Sequence, residues 1–120
     1  MEINIDIKDS YYIASIDAAD CKTLKEFLQH VRSAFKFPEY YGQNYDAFLD
    51  CINDLAWLNK ENYLLIINNS DLLLCDEQDK GELVELKNEF LEITNNWKLG
   101  PEAEGDDSER KVSVFKVLYN

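Results

Sequence analysis

FPEYYGQNYDAFLDCINDLAWL, residues 37–58, joins an aromatic turn to a short helix and decides the fold. At 100° per residue, three acids of this helix lie within about 80° of one another, namely Asp46, Asp50 and Asp54. Three apolar side chains lie roughly opposite them, namely Phe48, Ile52 and Leu55. We therefore predict that one helix face meets the core, and that the three acids form an exposed acidic ridge.

The turn before the helix is Pro38-Glu-Tyr-Tyr-Gly42. Proline fixes φ, and Gly42 permits a positive φ, so this segment is predicted to reverse the chain. Tyr40 and Tyr41 then stand beside the acidic ridge. Two aromatic rings next to three carboxylates suit a basic partner that itself binds phosphate.

Composition limits the class of protein and of partner. A chain of 120 residues fits one domain, predicted to span 1–120. Hydrophobic residues make up 46% of it and aromatic residues 12%, which is too much for a disordered acidic tail. With 24 acids against 12 bases, the chain would repel nucleic acid and attract a basic protein.

Cysteine and histidine usage gives no sign of a metal or a catalytic centre. Cys21, Cys51 and Cys75 lack CxxC spacing, and His30 has no evident partner in the sequence. A calcium loop read from Asp76 fails, because its twelfth position is Lys87 instead of glutamate. We predict a non-enzymatic protein without cofactor or metal. No membrane span or leader is evident, so a cytoplasmic protein with reduced thiols is expected.

The first half of the chain is predicted to contain two strands and a helix. Glu2–Ile7 and Tyr11–Ile16 both read as strands and suggest an N-terminal hairpin. Thr23 and Glu26 have the spacing of a capping box, and the helical apolar pattern after them continues to Phe35.

The second half is predicted as strand, helix and strand. Tyr63–Ile67 is a continuous apolar run, as expected of a central strand buried on both faces. A helix after Asp79 carries an apolar stripe of Leu83, Leu86, Phe90 and Ile93, and an acidic stripe of Glu82, Glu85, Glu89 and Glu92. Residues Lys98–Arg110 read as a surface loop, and Val112–Leu118 reads as a closing strand. This order predicts an α/β fold.

The segment PEYYGQNYDAFLDC, residues 38–51, resembles the signature of the barstar family, intracellular inhibitors of barnase-type ribonucleases. The likeness of layout extends from about Tyr11 to Asn120. It implies a small three-stranded parallel sheet packed with helices, to which Glu2–Ile7 adds an extra N-terminal strand.

The resemblance also implies the partner-binding residues. By this likeness Asp50 is the central anchor, since its carboxylate imitates an RNA phosphate and accepts bidentate hydrogen bonds from arginine. The other positions implied at the interface are Tyr40, Tyr41, Gly42, Asn44, Asp46, Leu49, Asp54 and Glu92. Leu49 and Leu55 stand where the family has tryptophans, which reduces the aromatic area expected at the rim of the interface.

The function implied is that of a monomeric, immunity-like inhibitor. It would block the active site of a basic bacterial ribonuclease, or a related toxin, and protect the cell that makes it. Two alternatives remain at this point: an interaction module that keeps the fold but binds another basic protein, and a metal-dependent hydrolase or other enzyme.

Overall fold

A computed structural model describes residues 11–39, 44–58, 60–99 and 114–120. Three strands form one sheet: β1 (Tyr11–Asp17), β2 (Asn62–Asn68) and β3 (Val114–Tyr119). All pairs are parallel, β2 lies in the centre, and Tyr12, Tyr63 and Phe115 stand in register across the sheet. The predicted three-stranded parallel sheet is confirmed.

Within the described residues, three α-helices accompany the sheet: α1 (Leu24–Ala34), α2 (Tyr45–Ile52) and α3 (Gly81–Leu99). Short 3₁₀ turns at Ala18–Asp20, Ala56–Leu58 and Ser70–Leu72 join these elements.

Helix α1 begins where the capping pattern predicts. The Thr23 hydroxyl accepts a hydrogen bond from Glu26 N at 3.2 Å, and Glu26 Oε1 accepts one from Lys22 N at 3.1 Å. A carboxylate from later in the sequence also caps the helix, because Glu77 Oε2 accepts a hydrogen bond from Leu24 N at 2.6 Å. Three amide groups at or just before the start of the helix are thus satisfied by side chains.

The core lies between the helices and one face of the sheet. On that face Tyr63, Leu65 and Ile67 are buried, whereas Leu64 and Ile66 on the other face are only half-buried. The prediction that β2 is buried on both faces is therefore wrong. The described helices pack on the face of Tyr12, Tyr63 and Phe115, through contacts such as Tyr63 with Trp97; the opposite face leaves Ile13 43% and Leu118 49% exposed.

Aromatic side chains close the carboxyl ends of two helices. The last carbonyls of a helix have no partner within it and need an outside donor. Tyr12 Oη donates to Ala34 O at 2.8 Å, and Trp57 Nε1 donates to Phe35 O at 2.9 Å. Trp97 Nε1 donates to Ile52 O at 3.1 Å and ties the end of α2 to α3.

Several predicted elements lie partly or wholly outside the described residues. The strand Glu2–Ile7 lies outside them, and the strand predicted from Val112 is described from Val114 to Tyr119. The loop predicted from Lys98 starts too early, because α3 continues through Leu99; the remainder of that loop lies outside the described residues. Within the described part of the chain, no helix has the length and apolar character to cross a membrane.

Candidate functional site

Helix α2 is a two-turn helix closed by asparagine at both ends. Asn44 Oδ1 accepts a hydrogen bond from Ala47 N at 2.8 Å, as an N-cap does. Asn53 Nδ2 donates to Leu49 O at 2.9 Å after the last turn. Asn44 therefore has a definite structural role, whatever it also contributes to a partner.

Phe48 fixes how α2 is rotated against the core. It is 2% exposed and meets Phe27 and Phe90 edge to face, with ring centroids 5.6 Å and 6.2 Å away. With this side of the helix buried, Asp46 and Asp50 point away from the core and are exposed. The core face and the exposed acidic face of α2 follow the prediction for these two acids.

The third predicted acid does not lie on the helix. Helix α2 ends at Ile52, and Asp54 is an exposed residue of the following turn. A further helical turn would pair Ala56 N with Ile52 O, but Leu55 has a positive φ of 54°, and Ala56 N donates to Asp54 Oδ1 at 3.3 Å. Ile52 O instead accepts from Trp97 Nε1. The prediction that three acids share one helical face is therefore wrong for Asp54.

The two leucines that stand in place of family tryptophans differ in position. Leu55 is fully buried, with a positive φ of 54°, and belongs to the core. The prediction that its replacement alters the rim is wrong for this reason. Leu49 is half-buried on α2 and packs against the core.

Tyr45, on the first turn of α2, links this helix to the acidic stripe of α3. Its ring is tilted against Phe48 with centroids 5.6 Å apart. Burial and, to a smaller extent, the charges of the nearby Glu89, Glu85 and Glu82 together raise the pKa of Tyr45 to about 12. A cleft of about 230 Å³ lies here, lined by Leu24, Tyr45, Glu82, Glu85 and Leu86.

The acidic stripe thus extends the negative surface of α2. Helical periodicity in the sequence predicts the acidic stripe of α3, but it does not predict that the stripe lies beside Tyr45, because only helix packing brings α2 and α3 together. Glu92, the stripe residue singled out from the sequence, is exposed on α3. Within the described part of the chain, no hydrogen bond or ion pair joins Glu92 to Asp46 or Asp50.

The aromatic turn is described only at its start. Arg32 Nη2 on α1 donates to Pro38 O at 3.4 Å and to Glu39 O at 3.3 Å, which holds the chain as it enters the turn. Tyr40, Tyr41 and Gly42 lie outside the described residues.

Asp46 and Asp50 form what we name the carboxylate pair. Side chains four residues apart on a helix lie about 5–6 Å apart at Cβ. Within the described part of the chain, neither carboxylate has a hydrogen-bond or ion-pair partner. Such a pair can accept charge-assisted hydrogen bonds from arginine or lysine. Among the described residues, no cluster of three or more His, Cys, Asp or Glu side chains could hold a metal ion.

Comparison with known proteins leads to a family. No curated protein matches this chain. A family model described as Barstar (barnase inhibitor) matches residues 11–119, which includes all three strands and all three helices described above. The chain therefore belongs to the barstar family.

Proposed function

We propose that this protein is a non-enzymatic inhibitor that binds a basic ribonuclease, or a ribonuclease-like toxin, and occludes its active site. The carboxylate pair carries the proposal: Asp46 and Asp50 are exposed on a helix that Phe48 anchors, within the fold of an inhibitor family. The inhibitor acts as a single copy in the cytoplasm and needs no cofactor.

The mechanism is stoichiometric blocking through phosphate mimicry. A ribonuclease concentrates cationic side chains where it holds RNA phosphate, and a carboxylate accepts bidentate hydrogen bonds from arginine in the way a phosphate does. Asp50 takes the central position, and Asp46 adds a second acceptor one helical turn away. The surrounding contacts come from Tyr40, Tyr41, Gly42, Asn44, Leu49, Asp54 and Glu92.

Preorganisation supports this assignment. The carboxylate pair sits on a helix whose rotation is fixed by buried aromatic contacts, so little backbone ordering of α2 is needed on binding. The Asn44 cap and the Trp97 hydrogen bond hold the two ends of α2.

Charge supports the choice of a basic partner. The formal net charge is -12, and the acidic stripe of α3 lies beside Tyr45 at the start of α2. Such a field accelerates encounter with a cationic protein, and added salt screens it.

The test is a titration of RNA cleavage by a barnase-type ribonuclease. The wild-type chain is expected to abolish cleavage at one equivalent, and the double variant Asp46→Ala, Asp50→Ala is expected to lose this inhibition. The control is Asp71→Ala, Asp76→Ala, which removes the same charge from exposed positions between β2 and α3. Equal inhibition by both double variants would refute the assignment of the carboxylate pair.

A second candidate is an interaction module that binds another basic protein through the same surface. Leu49 favours it, because by the resemblance this half-buried leucine next to Asp50 stands where the family has a tryptophan. Failure to inhibit the ribonuclease, together with tight binding of a different basic protein that Asp50→Ala weakens, would select this candidate.

A further inference from the structure

The two ends of the proposed binding segment, residues 38–56, lie next to each other. Phe37 comes directly before the aromatic turn and is 8% exposed, and Trp57 lies in the 3₁₀ turn after α2. Their rings meet edge to face, with centroids 6.0 Å apart and an interplanar angle of 86°. Trp57 therefore joins the chain that leaves α2 to the chain that enters the aromatic turn.

The chain enters this segment through a Schellman motif at the end of α1. In that motif the two amides after the helix donate back to carbonyls of its last turn. Lys36 N donates to Ser33 O at 3.2 Å, and Phe37 N donates to Arg32 O at 3.0 Å. Lys36 has the positive φ that the motif requires, 55°. The motif directs the chain from α1 towards the aromatic turn.

The next two carbonyls, those of Ala34 and Phe35, accept hydrogen bonds from side chains in different parts of the fold. Tyr12 Oη, on β1, donates to Ala34 O at 2.8 Å. Trp57 Nε1 donates to Phe35 O at 2.9 Å. The two hydrogen bonds are alike in length, and both satisfy carbonyls at the end of a helix. Only the hydrogen bond of Trp57 connects the end of α1 with the proposed binding segment.

The end of α2 places Trp57. Leu55 is buried with a positive φ of 54°, and it follows the last turn of the helix closely. Leu58 N donates to Leu55 O at 3.0 Å and closes the 3₁₀ turn that contains Trp57. Because Phe48 fixes the rotation of α2, the position of the indole depends on the position of the helix.

Arg32 also holds the chain at the start of the aromatic turn, but less firmly than Trp57. Its hydrogen bonds to Pro38 O and Glu39 O are 3.4 Å and 3.3 Å long, which is beyond the usual range for such bonds. Trp57 combines a hydrogen bond of 2.9 Å with the ring contact to Phe37, and it is half-buried. Trp57 is therefore the better residue on which to test how the two ends are held.

We propose that Trp57 is a positioning residue of the binding surface. It fixes the entry into the aromatic turn relative to the carboxylate pair on α2, so that both parts meet a partner in one arrangement. A surface whose parts are already in place loses less conformational entropy on binding, and it binds more tightly for that reason. The inference rests on the proposed inhibition, because it concerns how the inhibitory surface is held together.

The experiment compares Trp57→Phe with Tyr12→Phe in the full-length protein. Each variant keeps an aromatic ring and removes one side-chain donor from a carbonyl at the end of α1. Binding to a barnase-type ribonuclease is measured by titration of RNA cleavage and by calorimetry, and far-UV circular dichroism in urea shows that both variants are folded. We expect Trp57→Phe to raise Kd about three- to tenfold, the equivalent of one hydrogen bond, and Tyr12→Phe to leave Kd unchanged.

A second measurement, on the free protein, separates this inference from the proposed function. Residual dipolar couplings of ¹⁵N-labelled protein give the orientation of the Lys36, Phe37 and Glu39 amides relative to those of α2. We expect Trp57→Phe to change these orientations and Tyr12→Phe to preserve them. If the wild-type chain does not inhibit the ribonuclease, the proposed function is refuted, and the couplings still decide whether Trp57 positions the entry.

Two results would overturn the inference. The first is equal affinity of Trp57→Phe and Tyr12→Phe for a ribonuclease that the wild-type chain inhibits, since a purely structural role at the end of α1 would affect both variants alike. The second is unchanged dipolar couplings at Phe37 and Glu39 in Trp57→Phe. With unchanged couplings, any loss of affinity would come from a direct contact of Trp57 with the partner.

Discussion

Replacing Phe48 with alanine removes the side chain that holds α2, and its cost can be worked from the contacts of its ring. The side chain is 2% exposed, so its burial contributes about 1.5–3 kcal/mol. It also makes three aromatic contacts, with Phe27, Phe90 and Tyr45, each worth about 0.5–1.5 kcal/mol beyond burial. Together these terms give about 3–7.5 kcal/mol, and core replacements of this kind cost about 3–5 kcal/mol. We therefore expect a loss of about 4 kcal/mol.

The assay is urea unfolding followed by tryptophan fluorescence, together with thermal unfolding. For a chain of this length, the loss corresponds to a fall in Tm of about 15 °C. The control is Val84→Ala, which also truncates an apolar side chain but at a position 58% exposed on α3, and its effect should stay within about 0.5 kcal/mol. A loss below about 1.5 kcal/mol for Phe48→Ala would refute the packing of α2 described here.

Four other predictions concern binding, thiols and pH. Asp50→Ala should weaken binding to a barnase-type ribonuclease by about 2–5 kcal/mol, a range taken from charged interface pairs that include those of the barnase–barstar complex. An unchanged Kd in calorimetry would show that Asp50 is not the anchor. Raising the salt concentration should slow association in stopped flow more than it speeds dissociation, and a salt-independent association rate would contradict electrostatic steering. Ellman's reagent should modify only the exposed Cys75 in the folded protein, because Cys21 and Cys51 are buried, and it should modify all three thiols after denaturation. Rapid modification of two or more thiols in the folded protein would contradict the burial of Cys21 and Cys51. Hydrogen bonds from the Asn69 side chain and the Ala19 amide lower the pKa of Asp17, so the stability that this carboxylate contributes is present above the usual aspartate pKa and is lost as pH falls through the folded pKa. Asp17→Ala should therefore lower the free energy of unfolding at neutral pH and lower it progressively less in acid. An equal loss of unfolding free energy at neutral and acidic pH would contradict the assignment.

Local patterns in the sequence were sufficient for most of the fold. The spacing of Thr23 and Glu26 predicts the start of α1, and Phe35 follows directly after its last residue. The apolar run Tyr63–Ile67 predicts the central strand within one residue at each end. The family signature at residues 38–51 predicts the parallel sheet, which the structure and the family match confirm.

The candidate site was predicted in part. The opposition of Phe48 to Asp46 and Asp50 follows from helical periodicity, which is fixed by backbone geometry and needs no knowledge of the neighbours. The binding role of these residues stays a prediction. The same periodicity failed at Asp54, because periodicity alone does not show where a helix ends.

The sequence by itself determined which side chains of α2 face inward, the cap that begins α1, and an acidic surface suited to a basic partner. Tertiary structure alone decided how the end of α2 is held, where the indole of Trp97, 45 residues later, donates to the carbonyl of Ile52. It also decided that Tyr45 meets the acidic stripe of α3, and that Leu91 of α3 and Val117 of β3 line one groove. The physical reason is common to all three: each depends on groups far apart in the chain, and only packing of the core sets their distance.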